Sequence, residues 1–274
     1  MIAFVLGGGG GPLGAHEVGM LGALADRGIV PDLVLGTSVG AINGAAFAAD
    51  PTAEGVERLA VMWSSMQDGD VFSGSLLGRV ATLARTRTHL HESAPLRALL
   101  ERGLGDARIE DLAVPFQCVA ASIERAGEHW FTEGPVVDAV IASASVPGLL
   151  PPAEIGGEHF VDGGIVNSIP VNRAVELGAT RIFVLHVGRL DRPLEPPRWP
   201  WEVGLVAFEI ARRHRVIGDL AALPEGIEAH VLPTGAPDPP RYGAQLRYRD
   251  ASRVRERIAG AREATARRLE ELGL

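Results

Sequence analysis

Apolar residues recur in two patterns that alternate along most of this chain. Short runs that are apolar throughout predict buried strands, and apolar positions three or four residues apart predict helices. The first run, Ile2 to Leu6, ends in glycines, as expected for a central strand. Further predicted strands are Leu33–Leu35, Pro115–Ala121, His129–Thr132 and Thr180–Val187, and predicted helices are Ala15–Arg27, Ala41–Ala49, Thr52–Met66, Pro95–Arg102, Pro135–Ser143 and Pro170–Leu177.

This alternation predicts an α/β fold in which a mainly parallel sheet is covered by helices on both faces. Residues 67–87 contain scattered Gly, Ser and Thr without a clear period, so we interpret them as an insertion or a flap. A hairpin is predicted through Gly156 and Gly157, shortly before the turn Asp162-Gly163-Gly164.

The pattern weakens after residue 188, where a Pro-rich bend from Arg192 to Pro200 follows. Beyond the bend we expect a helix over Trp201–Ile217, a strand over Ile227–Leu232 and a terminal helix over Ser252–Leu272 that covers the sheet with its apolar face. The length suits one large α/β unit. We therefore expect a single domain over 1–274, with a core over 1–190 and an extension over 191–274 that packs on it.

Composition and charge restrict the class of protein. The net charge is −8, from 34 acidic and 26 basic residues, all of the latter Arg, and such a balance predicts no nucleic-acid partner. The one cysteine, Cys118, can form no intramolecular disulfide, which is typical of a reducing cytoplasm. No window reaches the ~18 apolar residues of a membrane-spanning helix. Met1 to Leu6 lacks a basic region before its apolar run, so we expect no signal peptide and a cytoplasmic location.

A glycine-rich segment, Gly7 to Gly14, lies between the first strand and the first helix. Glycines leave backbone N–H groups uncovered, so such a loop can bind a phosphate or a developing oxyanion. Gly9, Gly11 and Gly14 also satisfy the dinucleotide pattern G-x-G-x-x-G. That pattern requires an acid at the end of the second strand, whereas Asp32 stands at its beginning, so we expect no nucleotide cofactor.

The segment Gly36-Thr37-Ser38-Val39-Gly40 follows the second strand and precedes a helix. In this context G-x-S-x-G is typical of a turn that exposes a nucleophilic serine above the sheet. The N–H of Val39 is then available to an oxyanion at the helix N-terminus. The alternative is an ordinary turn in which Ser38 only caps the helix.

A serine nucleophile needs a base, and the chain offers two kinds. One is a carboxylate that acts directly, for which Asp162 in Asp162-Gly163-Gly164 is the candidate. The other is a histidine, for which His186, His214 and His230 are the candidates. His186 is predicted to lie within a strand, as a core imidazole, and His214 belongs to the basic cluster 212–215, predicted to be solvated or interfacial.

Together these segments resemble the patatin-like phospholipase family. That family has a glycine-rich oxyanion loop, a G-x-S-x-G turn, a proline-containing block and an Asp-Gly-Gly or Asp-Gly-Ala, in this order. The matching segments here are Gly7–Gly14, Gly36–Gly40, Ser143–Pro152 and Asp162–Gly164, within residues 2–50 and 115–190.

The resemblance implies a three-layer α/β/α fold and hydrolysis of lipid acyl esters without a cofactor. It implies a catalytic dyad of Ser38 and Asp162 that uses no histidine. The oxyanion donors are then expected to be the N–H groups of Gly9, Gly10, Gly11 and Val39, and the glycines expected to shape the two turns are Gly36, Gly40, Gly163 and Gly164.

One departure from the family concerns the glycine-rich loop. Where the family usually continues Gly-Ala-Arg-Gly, this chain has Gly-Pro12-Leu13-Gly14, one residue more and no Arg. The donors are backbone groups, so the oxyanion site can survive this change. A member without activity that binds a nucleotide or a lipid stays an alternative, as does a His-dependent α/β-hydrolase.

A segment that could contact lipid aggregates runs from Trp199 to Ile217. Trp199, Trp201 and Phe208 precede the basic cluster 212–215, a combination typical of a membrane-surface helix. The same apolar residues suit a core or subunit contact, which we favour, and the sequence leaves the oligomeric state open. Residues 71–77 are an alternative lid. No metal-ligand cluster is visible, so we expect no metal.

Overall fold

A mixed sheet forms the centre of the molecule. The structure, a computed structural model, describes residues 1–9, 14–65, 88–187, 193–235 and 253–274. The strands are β1 (Ile2–Leu6), β2 (Leu33–Thr37), β3 (Phe116–Ser122), β4 (Gly127–Phe131), β5 (Ala153–Ile155), β6 (Glu158–Asp162), β7 (Arg181–Leu185) and β8 (Glu228–Val231). Their order is β5-β6-β3-β2-β1-β7-β8, and β4 also pairs with β3. The five neighbouring strands β3, β2, β1, β7 and β8 are parallel to one another. The pairs β3–β4, β3–β6 and β5–β6 are antiparallel.

Strand register brings the two catalytic candidates to one edge of the sheet. Leu6 pairs with Gly36 in parallel register, so the glycine-rich segment and the G-x-S-x-G turn leave the sheet side by side. Thr37 pairs with Val119 of β3. β6 arrives antiparallel, and its last residue, Asp162, pairs with Ala120, the neighbour of Val119. Ser38 and Asp162 therefore converge although 124 positions separate them.

Helices cover both faces of the sheet. They are α1 (Gly14–Asp26), α2 (Val39–Ala49), α3 (Ala53–Ser65), α4 (Ala94–Leu104), α5 (Val136–Ser143), α6 (Gly164–Asn167), α7 (Val171–Glu176), α8 (Pro200–Ala221) and α9 (Val254–Glu271). Alternate residues of β1 face two separate cores. Phe4 belongs to the larger core and Val5 to the smaller one. Because both faces are buried, β1 is apolar throughout, and the three-layer α/β/α prediction is confirmed.

The extension after residue 190 joins the core at two places. β8 continues the parallel sheet beyond β7, and α9 packs on α1, where a Cβ on Gly19 would collide with the carbonyl oxygen of Ile258. The terminal helix therefore covers chiefly another helix, not the sheet as we expected. The reason is that residues 14–24 of α1 are all buried, so α1 needs an outer cover of its own.

Most predicted elements match observed ones within a few residues. The short helix α6 was not predicted, and the proposed flap, 67–87, lies outside the described residues. Within the described ranges, no helix combines the length and apolar character needed to cross a bilayer.

Candidate active site

The turn between β2 and α2 holds Ser38 in a backbone conformation that serine rarely adopts. Its φ is 55° and its ψ is −120°, and such a conformation costs on the order of 1–3 kcal/mol and persists only where surrounding contacts enforce it. Gly40 permits close packing here, because a Cβ at this position would collide with the carbonyl oxygen of Leu6. The Ser38 side chain makes no cap hydrogen bond to α2, which argues against the alternative in which it only caps the helix.

The hydroxyl of Ser38 faces the carboxyl group of Asp162. Ser38 Oγ donates to Asp162 Oδ2 at 2.5 Å, and the other carboxyl oxygen, Oδ1, accepts the N–H of Gly164 at 2.7 Å. Both residues are buried, with exposed fractions of 8% and 5%. In the described part of the chain, Asp162 is the one side chain that hydrogen-bonds to the Ser38 hydroxyl. The carboxyl group is thus oriented from both sides, one oxygen toward the serine and one toward the backbone.

Burial changes the acidity of this carboxyl group. It raises the pKa of Asp162 from its usual 3.8 to about 6, while the hydrogen bonds from Ser38 and Gly164 act in the opposite direction. Desolvation penalises the charged form, so the carboxylate is a stronger base than an exposed aspartate. A general base works best when its pKa lies near the operating pH, and this shift moves Asp162 toward that range.

The backbone after β6 turns sharply so that Asp162 faces Ser38. A Cβ on Gly163 would collide with the carbonyl oxygen of Val119, so this turn has no room for a side chain. Two backbone bonds fix it: the N–H of Asp162 donates to Ser145 O at 2.9 Å, and the N–H of Gly163 donates to Ser143 O at 3.1 Å. The proline-containing block therefore begins with residues that hold the acid turn.

Some backbone N–H groups of the glycine-rich segment donate hydrogen bonds within the protein and others do not. The N–H of Gly7 donates to Leu185 O at 2.9 Å, and the N–H of Gly8 donates to Ser168 O at 2.7 Å. Among the described residues, the N–H groups of Gly9 and Val39 have no such partner, and the latter is at the first position of α2, where helical N–H groups lack partners within the helix. Gly10 and Gly11 lie outside the described residues.

A buried polar network that we did not predict ties α1 to α2. Asn43 Nδ2 donates to Gly14 O at 3.0 Å and to Glu17 Oε2 at 2.6 Å, and Trp63 Nε1 donates to Asn43 Oδ1 at 2.7 Å. Burial raises the pKa of Glu17 well above its usual range. The network holds Gly14, the residue at which the glycine-rich segment ends. The only sequence signal for this network is that Asn43 and Glu17 are polar residues inside largely apolar helices, and that signal is weak.

The three histidine candidates lie in different surroundings. His186 is buried one residue beyond the end of β7, not inside a strand as expected, and its ring lies near Gly7. Burial, reinforced by two arginines, lowers the pKa of His186 well below its usual range. His214 is exposed on α8. His230 lies on β8, where its Nε2 is 3.6 Å from a carboxylate oxygen of Glu228.

Two other kinds of site, a nucleotide site near Asp32 and a metal site, can also be compared with the structure. Asp32, which stands at the wrong end of the second strand for a nucleotide site, accepts the N–H of Ile2 through Oδ2 at 2.7 Å and so joins the starts of β2 and β1. Among the described residues, no three His, Cys, Asp or Glu side chains lie together in a way that could hold a metal ion.

The basic cluster on α8 is oriented differently from our expectation. Arg212 is 7% exposed, as is Glu209, and the two side chains form an ion pair at 2.6 Å. Arg213 shares the same carboxylate, and Arg215 pairs with Glu128 at 2.7 Å. The prediction of a solvated or interfacial cluster is therefore wrong for Arg212, which is buried against Glu209 of the same helix. The acidic residue one helical turn earlier makes burial of this charge tolerable.

Several apolar residues of α8 lie on the face opposite the buried Arg212 and are exposed. Val203, Ile210 and Ile217 are each 54% exposed, and Trp199, just before the helix, is 57% exposed. Phe208 is also exposed, and a Cβ on Gly164 would contact its ring. The side chain of Trp201 is outside the description. We favoured a core or subunit contact for this face. The core contact is wrong, since Val206 and Val216 provide the buried positions instead, and the subunit contact stays a prediction.

A family model and two relatives show which family this chain resembles. A family model described as "Patatin-like phospholipase" matches residues 4–175. Patatin-like phospholipase domain-containing protein 7 of Rattus norvegicus is 31% identical over 192 residues, which cover 69% of this chain and 14% of that protein. Lysophospholipase nte1 of Aspergillus terreus is 32% identical over 190 residues, covering 69% of this chain and 12% of that protein.

The chain thus spans 14% or less of the length of these relatives. A solved structure, VipD from Legionella pneumophila, superposes with a TM-score of 0.48 and 13% sequence identity, covering 98% of this chain and 66% of that chain. The family model covers more than half of the chain and includes the glycine-rich segment, the Ser38 turn, the proline-containing block and the Asp162 turn. This chain therefore belongs to the patatin-like phospholipase family.

Proposed function

We propose that this protein hydrolyses carboxylic ester bonds of lipids through a dyad of Ser38 and Asp162. The observation that supports the proposal most is the 2.5 Å hydrogen bond between Ser38 Oγ and Asp162 Oδ2 in a buried setting. A strained serine beside a desolvated carboxylate is the arrangement expected of a nucleophile and its base. Packing alone gives no reason for either feature.

The proposed reaction has two halves. Ser38 Oγ attacks the ester carbonyl carbon while Asp162 Oδ2 takes the hydroxyl proton, and the N–H groups of Gly9 and Val39 stabilise the oxyanion together with those proposed at Gly10 and Gly11. Collapse of this intermediate breaks the carbon–oxygen bond to the alcohol, which leaves with the proton from Asp162. Water, deprotonated by Asp162, then attacks the acyl-enzyme and releases the fatty acid and the free serine.

The substrate class follows from the relatives and stays part of the proposal. Their printed names are patatin-like phospholipase and lysophospholipase, so we propose glycerophospholipids or lysophospholipids as substrates. The experiment is a panel of both lipid classes and of p-nitrophenyl esters, with Ser38→Ala as control. Fatty-acid release by the wild type alone supports the proposal, and release from no ester in the panel contradicts it.

The acidity of Asp162 leads to a prediction for the pH profile. The base must be ionised, so kcat/KM should rise tenfold per pH unit below the pKa and level off above it. Because burial raises that pKa to about 6, we expect the midpoint of the acid limb near pH 6. Initial rates between pH 4 and 9 with a soluble ester give the profile. A midpoint near 4, the value of an exposed aspartate, would contradict the assignment.

Two alternatives differ in chemistry. In a His-dependent hydrolase the serine contacts an imidazole, whereas here it contacts the carboxylate directly, which favours the dyad. In a binding protein without activity, nothing requires serine to adopt a positive φ. The strain at Ser38 therefore favours the catalytic function over the binding function.

We also propose that the exposed face of α8 contacts the lipid aggregate. Every exposed position of α8 that the structure describes from Val203 to Ala221 is apolar or glycine, except His214. This face adjoins the catalytic site, because Phe208 lies beside Gly164 and the neighbouring Ile165 of α6 is also exposed. Since the arginines of α8 face the protein, the contact should depend on apolar burial and not on anionic lipid.

Vesicle co-sedimentation tests this contact. Wild type should bind phosphatidylcholine vesicles, and Val203→Gln/Ile210→Gln should reduce the bound fraction severalfold in low and in 0.5 M salt. Val61→Gln/Ile123→Gln is the matched control, since both residues are exposed elsewhere. Equal binding by the α8 variant contradicts the proposal. If the variant instead changes the mass in solution, the face is a contact between copies of the chain.

The domain organisation also remains a proposal. Residues 191–274 contribute β8 to the same sheet and three α9 residues, Val254, Ala261 and Leu269, to the larger hydrophobic core, which supports one domain over 1–274.

A further inference from the structure

We propose that Ser143 is a positioning residue that locks the nucleophile turn and the acid turn to each other. This inference rests on the proposed function, and it concerns a residue that neither contacts the substrate nor transfers a proton. Its evidence is a set of hydrogen bonds at the start of the proline-containing block, where α5 ends.

Ser143 bonds to both turns with different atoms. Its Oγ accepts the N–H of Ser38 at 2.9 Å and donates to Val119 O of β3 at 2.6 Å. Its carbonyl oxygen accepts the N–H of Gly163 at 3.1 Å. Because a hydroxyl has one proton, these contacts fix its rotation: the proton belongs to the bond with Val119, and a lone pair faces Ser38. Ser143 is fully buried, so bulk water does not compete for these hydrogen bonds.

The bond from the Ser38 N–H has two consequences for the site. It fixes the peptide plane between Thr37 and Ser38, and so opposes relaxation of the positive φ at Ser38 toward an ordinary value. It also commits that N–H, so the oxyanion must use the N–H of Val39 and those of the glycine-rich segment. Thr37 Oγ1 donates to Asn167 O at 2.9 Å, so the turn is held on its other side as well.

Loss of the Ser143 hydroxyl should therefore disturb the approach of Ser38 Oγ to the ester without changing the substrate pocket. Misplacement of reacting groups by about 1 Å typically lowers a rate ~10²-fold. For Ser143→Ala we expect kcat to fall about 10- to 100-fold, with KM within about twofold of wild type. The rate at which a fluorophosphonate labels Ser38 should fall in parallel.

Ser145 offers a matched control. It is also fully buried and also lies at the end of α5, but its Oγ donates to Ile141 O, four residues earlier, at 2.8 Å. Ser145→Ala removes a buried hydroxyl of the same kind while keeping the carbonyl oxygen that accepts the N–H of Asp162. We expect a similar loss of stability in both variants and a loss of kcat only in Ser143→Ala.

The experiment compares kcat, KM, labelling rate and pH profile in wild type, Ser143→Ala, Ser143→Cys and Ser145→Ala, with urea unfolding to confirm folding. The acid limb should stay near pH 6 in Ser143→Ala, because Asp162 stays desolvated. A shift toward pH 4 would indicate general opening of the site and overturn the proposal. So would equal kcat values in the two alanine variants.

If Ser143→Ala does not fold, Ser143→Cys decides, since a thiol of similar size is a weak donor and acceptor. A reduced kcat at unchanged KM supports the proposal, and a wild-type kcat overturns it. Failure of the dyad is recognised separately, by activity that persists in Ser38→Ala.

Discussion

Ser38→Ala should lower ester hydrolysis by a factor of 10⁴ or more while the protein remains folded. The Ser38 hydroxyl is the nucleophile of the proposed mechanism, so this substitution removes it. No other group in the described part of the chain donates a hydrogen bond to Asp162 Oδ2 and could take its place. A site without its nucleophile retains only oxyanion stabilisation and binding, which contribute about 10³–10⁴ over water. The measurement is fatty-acid release from a lysophospholipid and p-nitrophenol release from a short ester.

Folding of Ser38→Ala serves as the control. The variant removes a buried hydroxyl from a strained position, and alanine at positive φ is also strained. Circular dichroism and urea unfolding distinguish an inactive folded enzyme from an unfolded one. Activity above about one tenth of wild type in the folded variant would exclude Ser38 as the nucleophile.

Asp162→Asn should abolish activity and at the same time stabilise the protein at alkaline pH. Asparagine has nearly the shape of a protonated aspartic acid, and it can still accept the N–H of Gly164. It cannot take the proton of Ser38, and loss of a general base typically costs about 10²–10⁴ in rate. The activity assays are those used for Ser38→Ala.

The stability change has a defined sign. Folding raises the pKa of Asp162 from 3.8 to about 6, so the folded protein binds this proton more tightly than the unfolded chain. Ionisation of Asp162 therefore lowers the free energy of unfolding as pH rises through this window, by about 1.36 kcal/mol per pKa unit, or on the order of 3 kcal/mol. The side-chain amide of the Asp162→Asn variant does not ionise, so the variant avoids this loss.

Thermal unfolding of wild type and Asp162→Asn at pH 8 and pH 4 checks this sign. The variant should melt at a higher temperature than wild type at pH 8, and the difference should shrink toward pH 4. A variant that is less stable at pH 8 would show that the ionised carboxylate stabilises the fold, against the desolvation argument.

Sequence patterns predicted the fold, and they identified the two turns that bring Ser38 and Asp162 together, for a clear physical reason. Buried parallel strands must be apolar throughout, and their carboxyl ends meet at one edge. Glycine is also required at single positions such as Gly40 and Gly163, where another backbone approaches too closely for a side chain. These features therefore leave recognisable segments in the sequence, and the register of β1, β2, β3 and β6 then brings the segments together.

The features that sequence did not predict depend on contacts between distant elements. The role of Ser143 requires that α5 end beside the Ser38 N–H, which no local pattern encodes. The orientation of α8 was predicted incorrectly because its apolar residues suggested a buried face and its arginines a solvated one. The ion pairs that Glu209 makes with Arg212 and Arg213 reverse this orientation.

The most direct test of the dyad is the rate at which a fluorophosphonate labels the protein, with the adduct located by peptide mass spectrometry. We expect one adduct, on Ser38, and labelling about 10²-fold slower or more in Asp162→Asn. Labelling should continue in His186→Gln, His214→Gln and His230→Gln. Labelling that stops in one of these folded histidine variants and continues at the wild-type rate in Asp162→Asn would show that a histidine, not Asp162, is the base.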